Sequence, residues 1–361
     1  MTTLLFWKLK KTKIRMPIIS AFEKEVAIFS DKLKLSENIV IIHHFNPDGD
    51  AIGSSLGLYN ALKLAGKSVK VISPTIYPDN LKWLPGAKEM KVLGKKTQND
   101  PTVLDGADMI ICVDLNARKR VGAIQPQFEK SNAFKALLDH HPFVEKFTDV
   151  AICETSYSSA CELVYEFIEA TFLNQYINVD VATCLYTGIL TDTGSFEYNS
   201  SNPNLFRVVG KIMEYRIEKD KIYNRLFNAW SENRIRFMGH VTCNRMVVMP
   251  EYKTAYIYIT AEDRRKYKEQ FGDTENFVNI PMQINGIVFT AIFIERDNFI
   301  KASFRSKGTF DVNMFSAKYF NGGGHVNASG GESYDSLSDV CRKFEDLVKG
   351  EYSEELRNYV Y

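Results

Sequence analysis

Short apolar runs alternate along the first part of this chain with longer stretches in which apolar residues recur every three or four positions. The runs are Ile39 to Ile42, Ser68 to Ile72, Asp108 to Val113 and Ala133 to Leu138. The periodic stretches are Ile18 to Leu35, Ala51 to Leu64, Ser158 to Phe172 and Val179 to Leu190. Runs of that length read as buried strands and the periodic stretches as helices. Gly66 stops the second helix, and the segment from Pro74 to Pro101 reads as loop with short helical pieces. Strands alternating with helices predict an α/β domain with a mostly parallel sheet, spanning residues 18–201.

Beyond that point the pattern changes. Residues 202–238 are helical, charged and amphipathic without motifs, which reads as a linker. Residues 239–350 carry two predicted hairpins. In the first, Val241 to Met249 and Thr254 to Ile259 flank Pro250-Glu251-Tyr252-Lys253; in the second, Ile287 to Glu295 and Phe299 to Arg305 flank Arg296-Asp297-Asn298. A helix from Val312 to Phe320 leads into Asn321-Gly322-Gly323-Gly324-His325, and a last helix spans Leu337 to Leu347. The expected second domain is therefore smaller, α+β, with a largely antiparallel sheet.

Composition narrows the function classes. The 361 residues suffice for two domains with separate cores. A net charge of +1 gives no global field to draw in long nucleic acid or an anionic membrane. No apolar run approaches membrane-spanning length. The six cysteines form no Cys-x-x-Cys pair and several sit in apolar runs, as expected of buried thiols in a reducing, cytoplasmic setting. The first residues, MTTLLFWKLKKTKIRMPI, place an apolar patch before the lysines, the reverse of a secretory signal. Met16 is then a candidate start, with residues 1–15 a basic extension.

The chemistry gathers at strand ends. Ile39 to Ile42 empties into His44-Phe45-Asn46-Pro47-Asp48-Gly49-Asp50, the next strands deliver Asp114 and Asp139-His140-His141, and the helix ending near Leu190 delivers Asp192. Taken alone, Asp48-Gly49-Asp50 is a turn and a helix N-cap. In α/β sheets, however, ligands bind outside the carboxyl ends of the strands, and these clusters of acid or imidazole converging there need a compensating cation. Two His and four Asp suit a dinuclear site of hard divalent ions in which one carboxylate bridges, Mn²⁺ first and Mg²⁺ second. Zinc is disfavoured, because no cysteine sits beside the acidic motifs. Two-metal hydrolases use such ions to acidify a water and to neutralise charge on an attacked phosphoryl group. Arg305 at a strand end, the Gly322-Gly323-Gly324 run and His325 are candidate phosphate-binding groups of the second domain, which would close over substrate held at the first.

These residues together resemble the DHH/DHHA1 phosphoesterase family, over roughly residues 20 to 350, and within it the short NrnA-type members, nano-RNases that also dephosphorylate 3′-phosphoadenosine 5′-phosphate. The first family motif appears as His44-Phe45-Asn46-Pro47-Asp48-Gly49-Asp50 and the second as Val113-Asp114, with Arg120-Val121-Gly122 downstream. The third is Asp139-His140-His141 and the fourth Thr191-Asp192-Thr193-Gly194. The C-terminal signature is Ser303-Phe304-Arg305-Ser306 followed by Gly322-Gly323-Gly324-His325. The resemblance implies an N-terminal DHH domain, a C-terminal DHHA1 domain and an active-site cleft between them. It implies that His44 and Asp48 hold one Mn²⁺, that Asp50, His140 and Asp192 hold another, and that Asp114 bridges. Asp139 would orient an imidazole, His141 would face the substrate phosphate, and Arg305, Gly322, Gly323, Gly324 and His325 would bind the phosphate or the 3′ nucleotide. His43 falls outside the pattern and reads as structural, as do Cys112 and Cys184. The implied activity is hydrolysis of short oligoribonucleotides to mononucleotides and of 3′-phosphoadenosine 5′-phosphate to AMP. Its partners are small nucleotides, not long nucleic acid or membrane, and a homodimer is compatible with it. Hydrolysis of pyrophosphate or polyphosphate, or a non-catalytic nucleotide-binding role, is the alternative.

Overall fold

A computed structural model describes residues 17–361 except 95, 96, 98, 99 and 271. The candidate start at Met16 and the extension before it lie outside the described residues. The chain divides into two compact units, the first ending at Leu226 and the second beginning at Phe227.

In the first unit, α1 (Glu23–Leu35), β1 (Asn38–Ile42), α2 (Gly49–Leu64) and β2 (Ser68–Ser73) follow a short 3₁₀ turn, Ile18–Phe22. Next come β3 (Lys91–Val92), β4 (Met109–Val113), the 3₁₀ segment Arg118–Ile124, α3 (Gln125–Lys130), β5 (Phe134–Asp139) and β6 (Val150–Cys153). The unit closes with α4 (Ala160–Ala170), α5 (Val179–Asp192), α6 (Pro203–Met213) and α7 (Lys219–Phe227). The six strands lie in the order β3-β2-β1-β4-β5-β6, and every pairing is parallel. β1 and β4 run apolar without alternation because both faces of the sheet are covered. Val40, Ile42, Ile110, Cys112 and Leu137 join Phe128 of α3 in one core, while α2, α4 and α5 pack on the opposite face. The strand order reverses direction between β1 and β4, a topological switch point.

β3 and β6 lie where no strand is expected from the sequence. Both are short, and edge position rather than pattern defines them: β3 pairs only with the end of β2, and β6 with the end of β5. The stretch 202–238 is not a linker standing apart. α6 buries Leu205, Val208 and Ile212 and packs on α4 and α5, so the unit boundary falls inside the stretch rather than around it.

In the second unit, α8 (Glu232–Asn244) precedes β7 (Met246–Met249), β8 (Thr254–Ile259), α9 (Ala261–Lys266), β9 (Phe289–Glu295) and β10 (Ile300–Ser306). α10 (Val312–Tyr319), β11 (Gly323–His325), β12 (Ala328–Ser333), α11 (Leu337–Lys349) and α12 (Ser353–Asn358) complete it. The sheet order is β11-β12-β10-β9-β8-β7, antiparallel except for β8 beside β9. Phe289, Phe293, Phe304, Phe315, Phe320 and Phe344 fill the core under α10 and α11. The expected strand from Val241 begins later, at Met246. Val241 and Phe237 are one helical turn apart and both bury against Ile257, Ile259 and Ile292, so α8 keeps this segment.

Candidate active site

β1, β4 and β5 end side by side at the switch point, and their exits place His44, Asp114 and Asp139-His140-His141 within reach of one another. Two helices supply the remaining acids. Asp48 caps α2, its Oδ1 accepting from the amides of Asp50 (3.0 Å) and Ala51 (3.1 Å), so the turn-and-cap reading holds for it alongside any other role. Asp192 is the last residue of α5.

α2 and α5 approach closely enough to bring these acids together only because small residues face each other. A Cβ on Gly53 would stand 2.6 Å from the Cys184 carbonyl oxygen, and one on Gly188 would overlap the Cys161 sulfur and lie 2.9 Å from Asp50 Oδ1. Gly49, Gly53 and Gly57 recur at one face of α2, a spacing legible in the sequence but not used to place the site.

The N-terminus of α4 then grips Asp50. Ala160 N donates to Oδ2 at 2.6 Å and Cys161 N to Oδ1 at 2.9 Å, orphan helix amides meeting a buried carboxylate. Ser159 caps the same helix through Glu162 N. Cys161 therefore does lie against an acidic motif, which the sequence order hides. Burial holds its thiol well above the ordinary range and its Sγ donates to the Asp50 carbonyl, so it is a packing thiol and not a thiolate ligand.

Within the first unit, three clusters of ligand-type atoms result: His44, Asp48 and Asp114; Asp50, His140 and Asp192; Asp114, Asp139 and His141. Asp114 belongs to two of them and faces both metal-type imidazoles. His44 Nε2 is 3.5 Å from its Oδ2 and His140 Nε2 is 3.6 Å from its Oδ1. His140 Nε2 also stands 3.7 Å from Asp50 Oδ2 and 3.7 Å from Asp192 Oδ2, and His44 Nε2 3.9 Å from Asp48 Oδ1. His44 Nδ1 faces the Phe45 carbonyl at 2.8 Å and His140 Nδ1 the Tyr157 carbonyl at 3.4 Å. A carbonyl only accepts, so both Nδ1 atoms carry a proton and both Nε2 atoms face carboxylates. For a neutral ring such as that of His44, the Nε2 lone pair against a carboxylate is repulsive unless a cation stands between them.

The electrostatics agree. Burial, followed by the charge of Asp192, pushes Asp50 up to about 7. Burial, followed by the charge of Asp50, holds Asp114 well above the carboxylate range. Burial lowers His44 to about 4, which keeps its imidazole neutral. Asp114 Oδ1 is buried without a hydrogen-bond partner, and Asp114 adopts a left-handed φ of 57°, a strained conformation of the kind that persists at functional sites. Hard oxygens plus imidazole nitrogens, an orphaned buried carboxylate oxygen and clustered like charge fit divalent cations at this rim.

His141 differs from its neighbours. Its Nδ1 donates to Asp139 Oδ1 at 2.8 Å, and its Nε2 accepts from Arg120 Nη1 at 3.1 Å. Burial works to raise Asp139, but the hydrogen bond and charge of His141 outweigh it and hold the carboxyl low. Arg120 enters on the 3₁₀ segment after β4, whose backbone is tied to the first motif by Phe45 N donating to the Arg120 carbonyl at 2.8 Å. Among the described residues it makes no ion pair with a carboxylate, and its Nη1 meets the His141 ring instead. The sequence contains the signal, Arg120-x-Gly122 after Asp114, but assigns it no role. His43 has both ring nitrogens on hydroxyls, Ser55 at 2.8 Å and Ser73 at 3.0 Å, and is wholly buried, as its structural reading requires.

In the second unit, Lys301, Ser303 and Arg305 alternate along β10 with buried Ile300, Ala302, Phe304 and Ser306. Register places Arg305, Ala328 and His325 in one row across β10, β12 and β11, and Ser303, Gly330 and Gly323 in the next. Arg305 and His325 thus share a face of the sheet. The glycine run is not a free loop, however. Gly323 and Gly324 lie in β11, where a Cβ on Gly324 would stand 2.5 Å from the Ala328 carbonyl oxygen, and one on Gly322 would overlap the Gly330 carbonyl. The Gly324 amide donates to Asn313 Oδ1 at 2.8 Å. Close strand approach accounts for these glycines before any anion does.

Comparison with known proteins gives the same assignment to both units. The N-terminal domain of the DHH family matches residues 38–189 and the DHHA1 domain matches residues 252–350. A solved structure described as an exopolyphosphatase-related protein from Bacteroides fragilis is 38% identical, with a TM-score of 0.89, covering 93% of this chain and 98% of that one. The Bacillus subtilis bifunctional oligoribonuclease and PAP phosphatase NrnA is 28% identical over 322 residues, 88% of this chain and 96% of its own. The relative of that name from Thermus thermophilus is 27% identical over 342 residues, 91% of this chain and 96% of its own. Among the described residues no helix is long and apolar enough to cross a membrane.

Proposed function

Because the chain belongs to the DHH family and carries a DHHA1 domain, we propose that it is a phosphoester hydrolase that cuts short oligoribonucleotides to mononucleotides and 3′-phosphoadenosine 5′-phosphate to AMP. The observation that supports this most is the pair of imidazole Nε2 atoms, His44 at 3.5 Å from Asp114 Oδ2 and His140 at 3.6 Å from Asp114 Oδ1. Divalent cations, Mn²⁺ before Mg²⁺, would be held by His44 and Asp48 on one side and Asp50, His140 and Asp192 on the other, with Asp114 shared. When bound, such ions supply Lewis acidity that acidifies a water and neutralises the phosphoryl oxygens.

The remaining work falls to this chain's own side chains. Asp139 fixes the His141 ring and keeps its proton on Nδ1, leaving Nε2 turned toward Arg120. Arg120, hydrogen-bonded to His141, brings a guanidinium to the edge of the acid cluster, where a phosphoryl oxygen would take its donors. The leaving oxygen would take its proton from water, directly or relayed through His141 Nε2 once the guanidinium has turned to substrate. Arg305 and His325, on one face of the second unit's sheet, would bind the terminal phosphate or the 3′ nucleotide, with Gly322, Gly323 and Gly324 leaving room beside them. The chain would act in the cytoplasm.

A hydrolysis panel with Mn²⁺ tests the reading: a 5′-phosphorylated diadenylate, 3′-phosphoadenosine 5′-phosphate, a cyclic dinucleotide and pyrophosphate. Turnover of the first two is expected. Turnover of pyrophosphate alone would replace the reading with its rival.

A further inference from the structure

Phe143 is 87% exposed and holds a left-handed φ of 57°, two residues past His141. A bulky aromatic in that backbone region is a genuine outlier, and one that leaves its ring in solvent gains no burial in return. The surrounding structure nevertheless fixes the loop on both sides of it. Asn116 brackets the residue, its Nδ2 donating to the Pro142 carbonyl at 2.9 Å and its own carbonyl accepting from Glu145 N at 2.7 Å. Arg118 clamps the next turn, with its backbone N on Glu145 Oε2 at 3.0 Å and its Nε on Glu145 Oε1 at 2.6 Å. The segment that fixes Phe143 is thus the one running from Asp114 to Arg120, and the loop is pinned to the site on which the proposed chemistry depends.

We infer that Phe143 is a stacking platform for a nucleobase of the substrate, and so a determinant of the enzyme's preference for nucleotides over base-free phosphoesters. This rests on the hydrolase reading above and adds a subsite to it. From His141 the chain reaches at most about 7 Å in two residues, so Phe143 lies within the span of one nucleotide from His141. Stacking on an aromatic face is tolerant of base identity, as a hydrolase of mixed short oligoribonucleotides requires. A rigid loop suits the task, because an aromatic held in place loses little freedom when a base settles on it.

The test compares AMP with ribose 5-phosphate, which lacks only the base, by calorimetry on the full chain with Mn²⁺ present. Wild type is expected to bind AMP more tightly than ribose 5-phosphate. Phe143→Ala should weaken AMP about tenfold and leave ribose 5-phosphate unchanged. Phe143→Trp should retain the preference, and Phe143→Leu, apolar but without a π face, should behave as Phe143→Ala. With a 5′-phosphorylated diadenylate the change should fall on KM and not on kcat. Equal AMP affinity in wild type and Phe143→Ala, or equal loss for both ligands, would overturn the inference. Should wild type hydrolyse no nucleotide at all, the hydrolase reading fails, and the AMP and ribose 5-phosphate titrations still decide the role of Phe143.

Discussion

Asp139 and His141, two positions apart at the end of β5, share a 2.8 Å hydrogen bond that fixes which imidazole nitrogen carries the proton. Strand alternation puts i and i+2 on the same face, so the pair is a direct product of the motif's spacing. His140, between them, brings its Nε2 to Asp50, Asp114 and Asp192 instead.

Asp139→Asn keeps the size of the side chain but removes the charge that holds the Nδ1 proton. Turnover is expected to fall about 10–100-fold, the cost typical of losing a partner that orients a functional imidazole. Mn²⁺ affinity measured by calorimetry should change little, since His44 and His140 keep their own carbonyl partners. Unchanged kcat would remove Asp139 from the mechanism.

Asp114→Asn should separate stability from activity. The wild-type carboxylate is buried, repelled by Asp50 and strained at positive φ, a conformation that Asn also tolerates. In EDTA the variant is expected to be more stable by about 1 kcal/mol, or about 2–4 °C in melting temperature. With Mn²⁺ it should show no turnover. A lower melting temperature in EDTA would show that the carboxylate does not destabilise the metal-free fold.

Gly188→Ala probes the close packing of α2 on α5. The added methyl would meet the Cys161 sulfur and the Asp50 carboxylate, and overpacking of this kind costs about 1–3 kcal/mol. Because Asp50 is displaced as well, Mn²⁺ affinity should fall, whereas Gly210→Ala, inside α6 with open space around it, should leave Mn²⁺ affinity unchanged and raise stability by about 0.5–1 kcal/mol. Calorimetry and thermal melts on the two variants distinguish a positioning effect from a general one.

Asp263 gives the second unit a pH dependence. Its carboxylate accepts from Arg245 Nε at 2.8 Å and Nη2 at 3.1 Å, from His240 Nε2 at 2.8 Å and from Thr260. Burial opposes ionisation, but the Arg245 and Thr260 hydrogen bonds outweigh it and hold the group far below its ordinary value of about 3.9. A depressed folded pKa contributes stability above the unfolded value and loses it as pH falls toward the folded one. Denaturant unfolding of wild type should therefore weaken progressively below about pH 4. Asp263→Asn should be about 2 kcal/mol less stable at pH 7 and flatter across the acid range. Parallel acid profiles for the two proteins would refute the assignment.

What the sequence determined by itself is the set of chemical groups and the strand ends that deliver them. A buried parallel strand is a continuous apolar run, and the first polar residues after it stand at the sheet's carboxyl edge, so His44, Asp114 and Asp139-His140-His141 are legible from local pattern. What tertiary structure alone decided depends on partners distant in the chain. The α4 amides reach Asp50 across more than a hundred residues, Gly53 meets the Cys184 backbone, and Arg120 finds His141. The same holds for β11, where the glycines are needed because another strand approaches, and for Phe143, exposed on a loop that Asn116 and Arg118 hold. Local periodicity reports which face of an element is buried. It carries no record of which other element does the burying, and both the direction of each imidazole lone pair and the spacing of the carboxylates are set there.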